Sequence, residues 1–366
     1  MKKLLVVVGT RPNFIKVTQF KKVAKQEFPG SFDIKIVHTG QHYDDKMANV
    51  FFEQFELTPD YFLEVPPSSP NNQMAEVMKR LESVVQEIQP DLLLVTGDVN
   101  STLAASVTAN KMEIPLAHVE SGLRSGDRTM PEEINRILTD EISDYLFITE
   151  ESGMRNLSGN GKTEDQLFLV GNTMIDTMVA FDDKINQSQI LEKLGLGKGQ
   201  FVLMTMHRPA TVDHKSELLK LIHLIEEITQ SEKLVFPIHP RTVNKLKQFN
   251  LHDQLAKNRN VIQTEPMDYF AFQKLIACCK FILTDSGGIQ EESTFRRVPC
   301  LTLRPNTERP STIQVGTNTL VPFDLDEIKR VICSIKEGRY KKGSIPDKWD
   351  GKATYRILKT IHEQLI

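Results

Sequence analysis

Residues 280–293, KFILTDSGGIQEES, contain a strand-like apolar run, a Gly-Gly turn and the start of a helix. The run Phe281–Leu283 predicts a strand, and the two glycines predict a tight turn behind it. A helix N-terminus at this point offers backbone N–H groups to an anion, and Ser286 adds a hydroxyl donor. A structural turn in which Asp285 or Ser286 caps the helix explains the same residues equally well. The stretch therefore predicts a βα unit and leaves open whether its turn binds phosphate.

Apolar strands and amphipathic helices alternate along the whole 366-residue chain. Continuous apolar strands that are separated by helices predict parallel sheets covered on both faces. The predicted helices include Pro12–Lys25 and Asn72–Ile88. The predicted strands are Leu4–Val8, Ile34–His38, Leu92–Thr96, Pro115–Val119, Tyr145–Ile148, Leu167–Val170, Phe201–Met206, Leu234–Ile238, Asn260–Ile262, Phe281–Thr284 and Cys300–Leu303.

The predicted fold class is α/β, with two Rossmann-like, doubly wound parallel-sheet domains that face a cleft. The first domain is expected to cover residues 1–171 and the second residues 172–350. The boundary is placed there because the polar stretch Asp182–Gly199 separates the last strand of one sheet from the first strand of the next. Residues 351–366 are expected to form a helix that packs back on the first domain.

The composition argues against several classes of protein. A net charge of −3 disfavours nucleic-acid and anionic-membrane partners. The first apolar run, Leu4–Val8, is too short for a signal peptide or a membrane span. The four cysteines lack CxxC spacing and lie in apolar surroundings, which predicts reduced residues of a cytoplasmic protein and no metal site. They are Cys278, Cys279, Cys300 and Cys333.

Charged side chains follow successive strands of the first domain. GTRPNFIK places Arg11 and Lys16 at a strand end, where they bind a diphosphate or remain solvated cations; the dinucleotide fingerprint is absent. TGDVNST, HVESGLRSGD and TMPEEINR place the carboxylates Asp98, Glu120 and Glu132 in the same way. Crowding of these carboxylates would raise a pKa, as proton transfer at neutral pH requires.

Structural roles compete for two of these carboxylates. Asp98 suits the N-cap of the following helix. Thr129 and Glu132 match a capping box, and Glu132 also matches an i,i+4 ion pair with Arg136. Glu120 has no capping role, because no helix is predicted directly behind it.

The second domain adds a histidine and aromatic residues. TMHRPATVD places His207 at a strand end. Its imidazole there suits proton transfer, and the alternative is that His207 is only a polar residue of the loop. PMDYFAF, residues 266–272, supplies aromatic rings that stack on a base or pack in the core. Arg309 in TERPST and His42 in TGQHYDD are not specific alone. Motifs for hydrolase triads, P-loop phosphotransfer and zinc chemistry are missing from the sequence.

The ordered series GTRPNFIK, TGQH, TGDVNST, HVESGLRSGD, MPEEINR, GNTMID, MHRP, LTDSGGIQEES and TERP resembles the non-hydrolysing UDP-N-acetylglucosamine 2-epimerases. The resemblance covers nearly the whole chain and implies a fold of the glycosyltransferase-B type. It implies reversible interconversion of UDP-N-acetylglucosamine and UDP-N-acetylmannosamine by a homodimer, for surface-polysaccharide synthesis and without a cofactor. The resemblance further implies that UDP leaves C1 as the C2 proton is removed, and that UDP then adds back to the bound glycal.

The same resemblance assigns residues. It makes Asp98, Glu120, Glu132 and His207 catalytic, without saying which carboxylate is base and which is acid. Gln41 and His42 match a loop that holds a second, activating UDP-sugar in some relatives. Substrate binding is assigned to Arg11, Lys16, Arg136, Met267, Phe272, Ser286, Gly287, Gly288, Glu292 and Arg309, with Glu292 as the ribose contact and Phe272 as the uracil-stacking ring.

Two positions depart from the family pattern. Pro209-Ala210-Thr211 follow the histidine, where many relatives carry a glutamate, and Met130 replaces an aromatic residue. Three alternatives stay open: a hydrolysing epimerase, an epimerase of a modified sugar such as a diacetamido uronic acid, and a glycosyltransferase-B-type transferase. A catalytically idle UDP-sugar sensor is a further alternative, against which the three carboxylates argue.

Overall fold

The computed structural model describes residues 1–40 and 52–365, so the predicted positions Gln41 and His42 lie outside the described residues. The chain forms two units. One comprises Met1–Ala180 together with Asp347–Ile366, and the other comprises Phe181–Pro346. No helix among the described residues is long and apolar enough to cross a membrane.

The first unit contains a seven-stranded parallel sheet in the order β3-β2-β1-β4-β5-β6-β7. The order reverses between β1 and β4, and the loops behind the carboxyl ends of these neighbouring strands carry GTRPNFIK and TGDVNST. In open α/β sheets ligands bind at such a reversal. The strands are β1 (Lys2–Val8), β2 (Phe32–His38), β3 (Tyr61–Phe62), β4 (Leu92–Thr96), β5 (Leu116–Ser121), β6 (Tyr145–Ile148) and β7 (Leu167–Leu169).

The second unit contains a six-stranded parallel sheet in the order β10-β9-β8-β11-β12-β13. Its order reverses between β8 and β11, which are followed by MHRP and DSGG. Both predicted doubly wound sheets are therefore confirmed. The strands are β8 (Phe201–Thr205), β9 (Lys233–Pro237), β10 (Val261–Thr264), β11 (Ile282–Thr284), β12 (Cys300–Leu303) and β13 (Asn318–Val321).

Helices cover both sheets. Among the described residues of the first unit the α-helices are Arg11–Ile15, Phe20–Glu27, Pro70–Ile88, Asn100–Lys111, Pro131–Ile142, Glu151–Gly159, Thr173–Ala180 and Ala353–Leu365. In the second they are Asp182–Asn186, Ile190–Lys193, Pro209–Val212, Lys215–Ile228, Pro240–Gln248, His252–Lys257, Tyr269–Cys278, Gly287–Phe295, Pro310–Gln314 and Leu325–Lys336.

One predicted helix is wrong in detail, and two strands were not predicted. The helix predicted for Pro12–Lys25 is two helices, because the first ends at Ile15 and the second begins at Phe20. The edge strand β3 has two residues, and β13 reads NTLV, so neither has the long apolar run that identifies a strand.

The segments near the predicted domain limits belong to the first unit. The helix Thr173–Ala180 belongs to this unit, and the Thr177 hydroxyl donates a hydrogen bond to the Ile15 carbonyl oxygen at 2.5 Å. The Asp176 carboxylate on this helix accepts the backbone N–H groups of Ala353 at 3.0 Å and Thr354 at 2.6 Å. The first unit therefore extends beyond residue 171, and its second segment begins at Asp347.

Candidate active site

Lys16 and Glu120 form a buried ion pair at the carboxyl edge of the first sheet. Both side chains lie against the loop that follows β4. Gly97 in this loop has a φ of 71°, and a methyl group added to it would lie 2.7 Å from Asn13 Nδ2, so the position favours glycine. The same methyl group would lie 3.3 Å from Lys16 Nζ and 3.5 Å from Glu120 Oε2. Arg11 lies at the start of the short helix Arg11–Ile15 and is exposed.

Glu120 has an unusual backbone conformation. Its φ is 73°, in the left-handed region, although it lies within strand β5. The register with β6 shifts between Val119 and Ser121, which marks a bulge at this position. A residue other than glycine held in this region is strained, and such residues cluster at functional sites.

Asp98 is bound by Arg136. The Arg136 guanidinium donates from Nε to Asp98 Oδ2 at 3.0 Å, and Nη2 lies 2.8 Å from the same oxygen. The interpretation of Asp98 as an N-cap is wrong, because Val99 is the N-cap of the following helix and makes no side-chain cap bond. Asp98 instead faces a cation on the neighbouring helix, Pro131–Ile142.

The predicted structural roles of Glu132 are also wrong. Met130 is the N-cap, and the Thr129 hydroxyl donates to Asp127 Oδ1 at 2.6 Å instead of closing a capping box. Arg136 pairs with Glu133 at 2.5 Å and with Asp98, not with Glu132, which is exposed. The structure thus holds Asp98 and Glu120 on separate cations.

Glu133, whose side chain is almost fully buried, was not predicted as a site residue. Its carboxylate accepts the Ser125 N–H at 2.9 Å, the Ser125 hydroxyl at 3.0 Å and the Gly126 N–H at 3.1 Å. Glu133 therefore joins the loop behind β5 to Arg136. The i,i+3 spacing of Glu133 and Arg136 on one helix was the available signal.

The DSGG turn of the second unit begins the helix Gly287–Phe295, as predicted. Ser286 is the N-cap but makes no side-chain cap bond, and its N–H donates to Thr284 Oγ1 at 3.0 Å. The Ser286 hydroxyl is therefore not used as a cap. Ser286, Gly287 and Gly288 are each partly exposed.

Asp285 is fully buried and orients His207. Its carboxylate lies 3.0 Å from His207 Nδ1 and accepts the N–H groups of His207 at 2.9 Å and Arg208 at 2.8 Å. Burial alone would raise the pKa of Asp285, but the hydrogen bonds and charge of His207 and the Arg208 amide lower it below its usual value. From the sequence, Asp285 was predicted only as a possible helix cap.

A cavity of about 220 Å³ lies beside this pair. Met267 and Phe272 line it with His207 and Ser286, so four predicted site residues meet in one pocket. His239, which was not predicted, also lines the cavity, and its ring centroid lies 5.5 Å from that of His207. Burial and then the charge of His207 lower the pKa of His239, which favours its neutral form.

Arg309 lies against the start of the DSGG helix. A methyl group added to Gly287 would lie 2.8 Å from Arg309 Nη1 and 2.9 Å from Glu308 Oε1. Arg309 is buried and pairs with Glu308 and, at 2.9 Å, with Glu291. The predicted nucleotide contact is thus held in place by two carboxylates.

Glu292 follows Glu291 on the helix Gly287–Phe295 and is buried. Burial and then the charge of Glu291 raise the pKa of Glu292 to about 8, and the opposing effects of Gln273 and Arg296 are smaller. A carboxyl that is mostly protonated at neutral pH can both donate and accept a hydrogen bond.

The chain is similar to known proteins over nearly its whole length. The family model described as UDP-N-acetylglucosamine 2-epimerase matches residues 24–362. The UDP-N-acetylglucosamine 2-epimerase of Methanocaldococcus jannaschii is 39% identical over 97% of this chain and 98% of its own length. The UDP-2,3-diacetamido-2,3-dideoxy-D-glucuronate 2-epimerase of Pseudomonas aeruginosa is 35% identical over 89% of this chain and 90% of its own.

Solved structures give the same result. The crystal structure of Methanocaldococcus jannaschii UDP-GlcNAc 2-epimerase in complex with UDP-GlcNAc and UDP superposes with a TM-score of 0.87. The match has 38% identity and covers 98% of this chain and 99% of that chain. The fold and sites describe a two-domain α/β enzyme of the epimerase class. The chain belongs to the UDP-N-acetylglucosamine 2-epimerase family, so the predicted family and enzyme class are confirmed.

Proposed function

We propose that this protein interconverts UDP-N-acetylglucosamine and UDP-N-acetylmannosamine by inverting C2 of the sugar. The observation that carries the proposal is the placement of charged groups at the two points where the strand order reverses, one in each sheet. The first sheet presents the strained Glu120 beside Lys16, and Asp98 beside Arg136. The second sheet presents His207 beside a cavity and a glycine turn.

The second unit is suited to the nucleotide. The cavity lined by Met267 and Phe272 offers an aromatic face to a uracil. The partly exposed turn Ser286–Gly288 offers a hydroxyl and a helix N-terminus to a diphosphate. Glu292 follows one helical turn later and is proposed to contact the ribose, and Arg309 to supply a positive charge.

The first unit is proposed to move the protons. One group removes the C2 proton, and the C2–H electron pair forms a C1=C2 double bond as the C1–O bond to UDP breaks. UDP then adds back to C1, and a proton reaches C2 from the opposite face. Inversion needs proton-handling groups on two faces, and Asp98, Glu120 and Glu132 are the candidates. Arg11, Lys16 and Arg136 supply cations for the anionic substrate and its leaving group.

Asp285 gives His207 a defined orientation for this reaction. Because Nδ1 faces a carboxylate that accepts a hydrogen bond, Nε2 is left for the departing diphosphate. A positioned donor that meets developing charge stabilises the transition state more than the ground state.

A C2 epimerisation of UDP-2,3-diacetamido-2,3-dideoxy-D-glucuronate is the second candidate, because a relative of that name is 35% identical. We further propose a homodimer that works in the cytoplasm and feeds surface-polysaccharide synthesis. The cytoplasmic location rests on four free cysteines, of which three are buried.

Incubation with each UDP-sugar in D2O, followed by NMR, tests the proposal. We expect UDP-N-acetylmannosamine with deuterium at C2 and little free UDP. Free N-acetylmannosamine with stoichiometric UDP would indicate a hydrolysing enzyme, and turnover of the diacetamido uronate alone would favour the second candidate.

The variants Asp98→Asn, Glu120→Gln and Glu132→Gln test the proton-handling groups. Each should lower turnover by on the order of 100-fold or more while UDP binding is retained, because each substitution keeps the side-chain shape and leaves the nucleotide groups of the second unit unchanged. Glu265→Gln, an exposed carboxylate of the second unit, is the control. Wild-type turnover in all three variants would contradict the proposed roles.

A further inference from the structure

Asp140, on the helix Pro131–Ile142, lies at the centre of a buried polar network that the roles above do not use. Its side chain is almost fully buried. Oδ1 lies 2.6 Å from His118 Nδ1. Oδ2 accepts the Gly122 N–H at 3.1 Å and Arg124 Nη1 at 2.6 Å. The carboxylate therefore contacts strand β5 and the loop behind it.

His118 extends the network to the neighbouring strand loop. The ring is fully buried in β5, and its Nε2 lies 2.9 Å from the Gly97 carbonyl oxygen. Nδ1 faces a carboxylate and Nε2 faces a carbonyl, so the ring joins polar groups of two different segments. His118 thus connects Asp140 to the residue directly before Asp98.

The network holds both loops that carry the proposed proton-handling groups. Gly97 precedes Asp98, and Gly122 follows the strained Glu120 by two positions. One buried carboxylate is therefore bonded directly to Gly122 in the loop behind Glu120, and to the Asp98 turn through His118. The helix that carries Asp140 also carries Arg136, which binds Asp98 itself.

We propose that Asp140 and His118 are positioning residues that set the spacing of Asp98 and Glu120 for proton transfer at C2. The proposal rests on the proposed epimerase function. Neither residue needs to touch the substrate, because both act through the backbone at Gly97 and Gly122. A displacement of about 1 Å of a reacting group can lower a rate by on the order of 100-fold.

The test compares Asp140→Asn with wild type in D2O. The variant keeps the side-chain volume and removes the charge that His118 and Arg124 face. We expect kcat and the rate of C2 deuterium exchange to fall by roughly 10- to 100-fold. The KM for UDP-N-acetylglucosamine and the Kd for UDP should stay near their wild-type values, because the partners of Asp140 are His118, Gly122 and Arg124, which have no proposed role in substrate binding.

Asp176→Asn is the matched control. Asp176 is also a buried carboxylate of the first unit that accepts two hydrogen bonds, but its donors are the amides of Ala353 and Thr354 on the C-terminal helix. This variant is expected to change the melting temperature and to leave kcat unchanged below the melting transition. A loss of stability alone would therefore affect both variants, whereas a loss of positioning affects only Asp140→Asn.

His118→Asn provides a second, independent test, and circular dichroism shows whether each variant is folded. The shorter amide reaches toward Asp140 but not to the Gly97 carbonyl, so kcat should again fall with little change in KM. Wild-type kcat in folded Asp140→Asn, or in His118→Asn if the former does not fold, overturns the inference. Wild-type protein without C2 exchange or epimerisation would refute the proposed function, and this inference with it.

Discussion

Replacement of Glu292 by glutamine should stabilise the second unit at neutral pH. Glu292 is only 7% exposed, and burial together with neighbouring Glu291 raises its pKa from 4.5 to about 8. The folded protein therefore retains a proton on this carboxyl at pH values where the unfolded chain releases it. Glutamine has a similar shape and releases no proton.

The sign and size of the effect follow from this pKa difference. A carboxyl whose folded pKa is raised stabilises the fold fully below the unfolded pKa, and that stability is lost as the pH rises through the folded pKa. The window for Glu292 therefore runs from 4.5 to about 8. At about 1.4 kcal/mol per pKa unit, the wild type loses roughly 3 kcal/mol by about pH 7 and roughly 5 kcal/mol above about pH 8.

Thermal denaturation of wild type and Glu292→Gln from about pH 5 to about pH 8 measures this difference. For a unit of this size, roughly 3 kcal/mol corresponds to a rise of roughly 6–12 °C in the melting temperature of the second unit at about pH 7. The advantage of the variant should shrink as the pH falls toward 4.5. Glu265→Gln changes an exposed carboxylate of the same unit and should follow the wild-type profile.

Parallel melting profiles of wild type and Glu292→Gln across the whole pH range would refute this reasoning. They would mean that Glu292 ionises at a similar pH in the folded and the unfolded chain. A variant that is less stable at every pH would show instead that the carboxyl makes a hydrogen bond that the amide cannot replace.

Two further predictions concern the second unit. Asp285→Asn should lower turnover by on the order of 10- to 100-fold, because His207 loses the carboxylate that orients its ring. Steady-state kinetics measure this, and an unchanged kcat would contradict the orienting role. Gly287→Ala should weaken UDP binding by roughly tenfold or more, because the added methyl group would meet the Arg309 guanidinium at 2.8 Å. Calorimetric titration with UDP measures the latter, and wild-type affinity would show that Arg309 moves aside without effect.

Much of the fold was predictable because it depends on local patterns. Buried parallel strands are continuous apolar runs, so β4, β6 and β12 were predicted with their observed ends. The break between Ile15 and Phe20 was missed because apolar residues continue through it at helical spacing. The short strand β3 carries too few residues to form a pattern.

From the sequence, the candidate site was predictable only as a group of residues that follow the ends of strands. The sequence placed Lys16, Asp98, Glu120 and His207 behind apolar strands, and the carboxyl ends of parallel strands share one edge of a sheet. It also predicted the glycine turn of DSGG, because that turn is encoded within a few consecutive residues. The resemblance to a known family then assigned catalytic and binding roles to these residues.

The tertiary structure alone decided which charges meet. Lys16 and Glu120 are 104 positions apart, and Asp98 and Arg136 are 38 positions apart, so strand order and helix placement determine these pairs. The orientation in which the helix Pro131–Ile142 packs likewise buries Glu133 and exposes Glu132. The sequence by itself determined which residues reach the edges of the two sheets, because strand and helix periods are local. Long-range packing determined their partners, because an ion pair forms only where the fold brings two distant segments together.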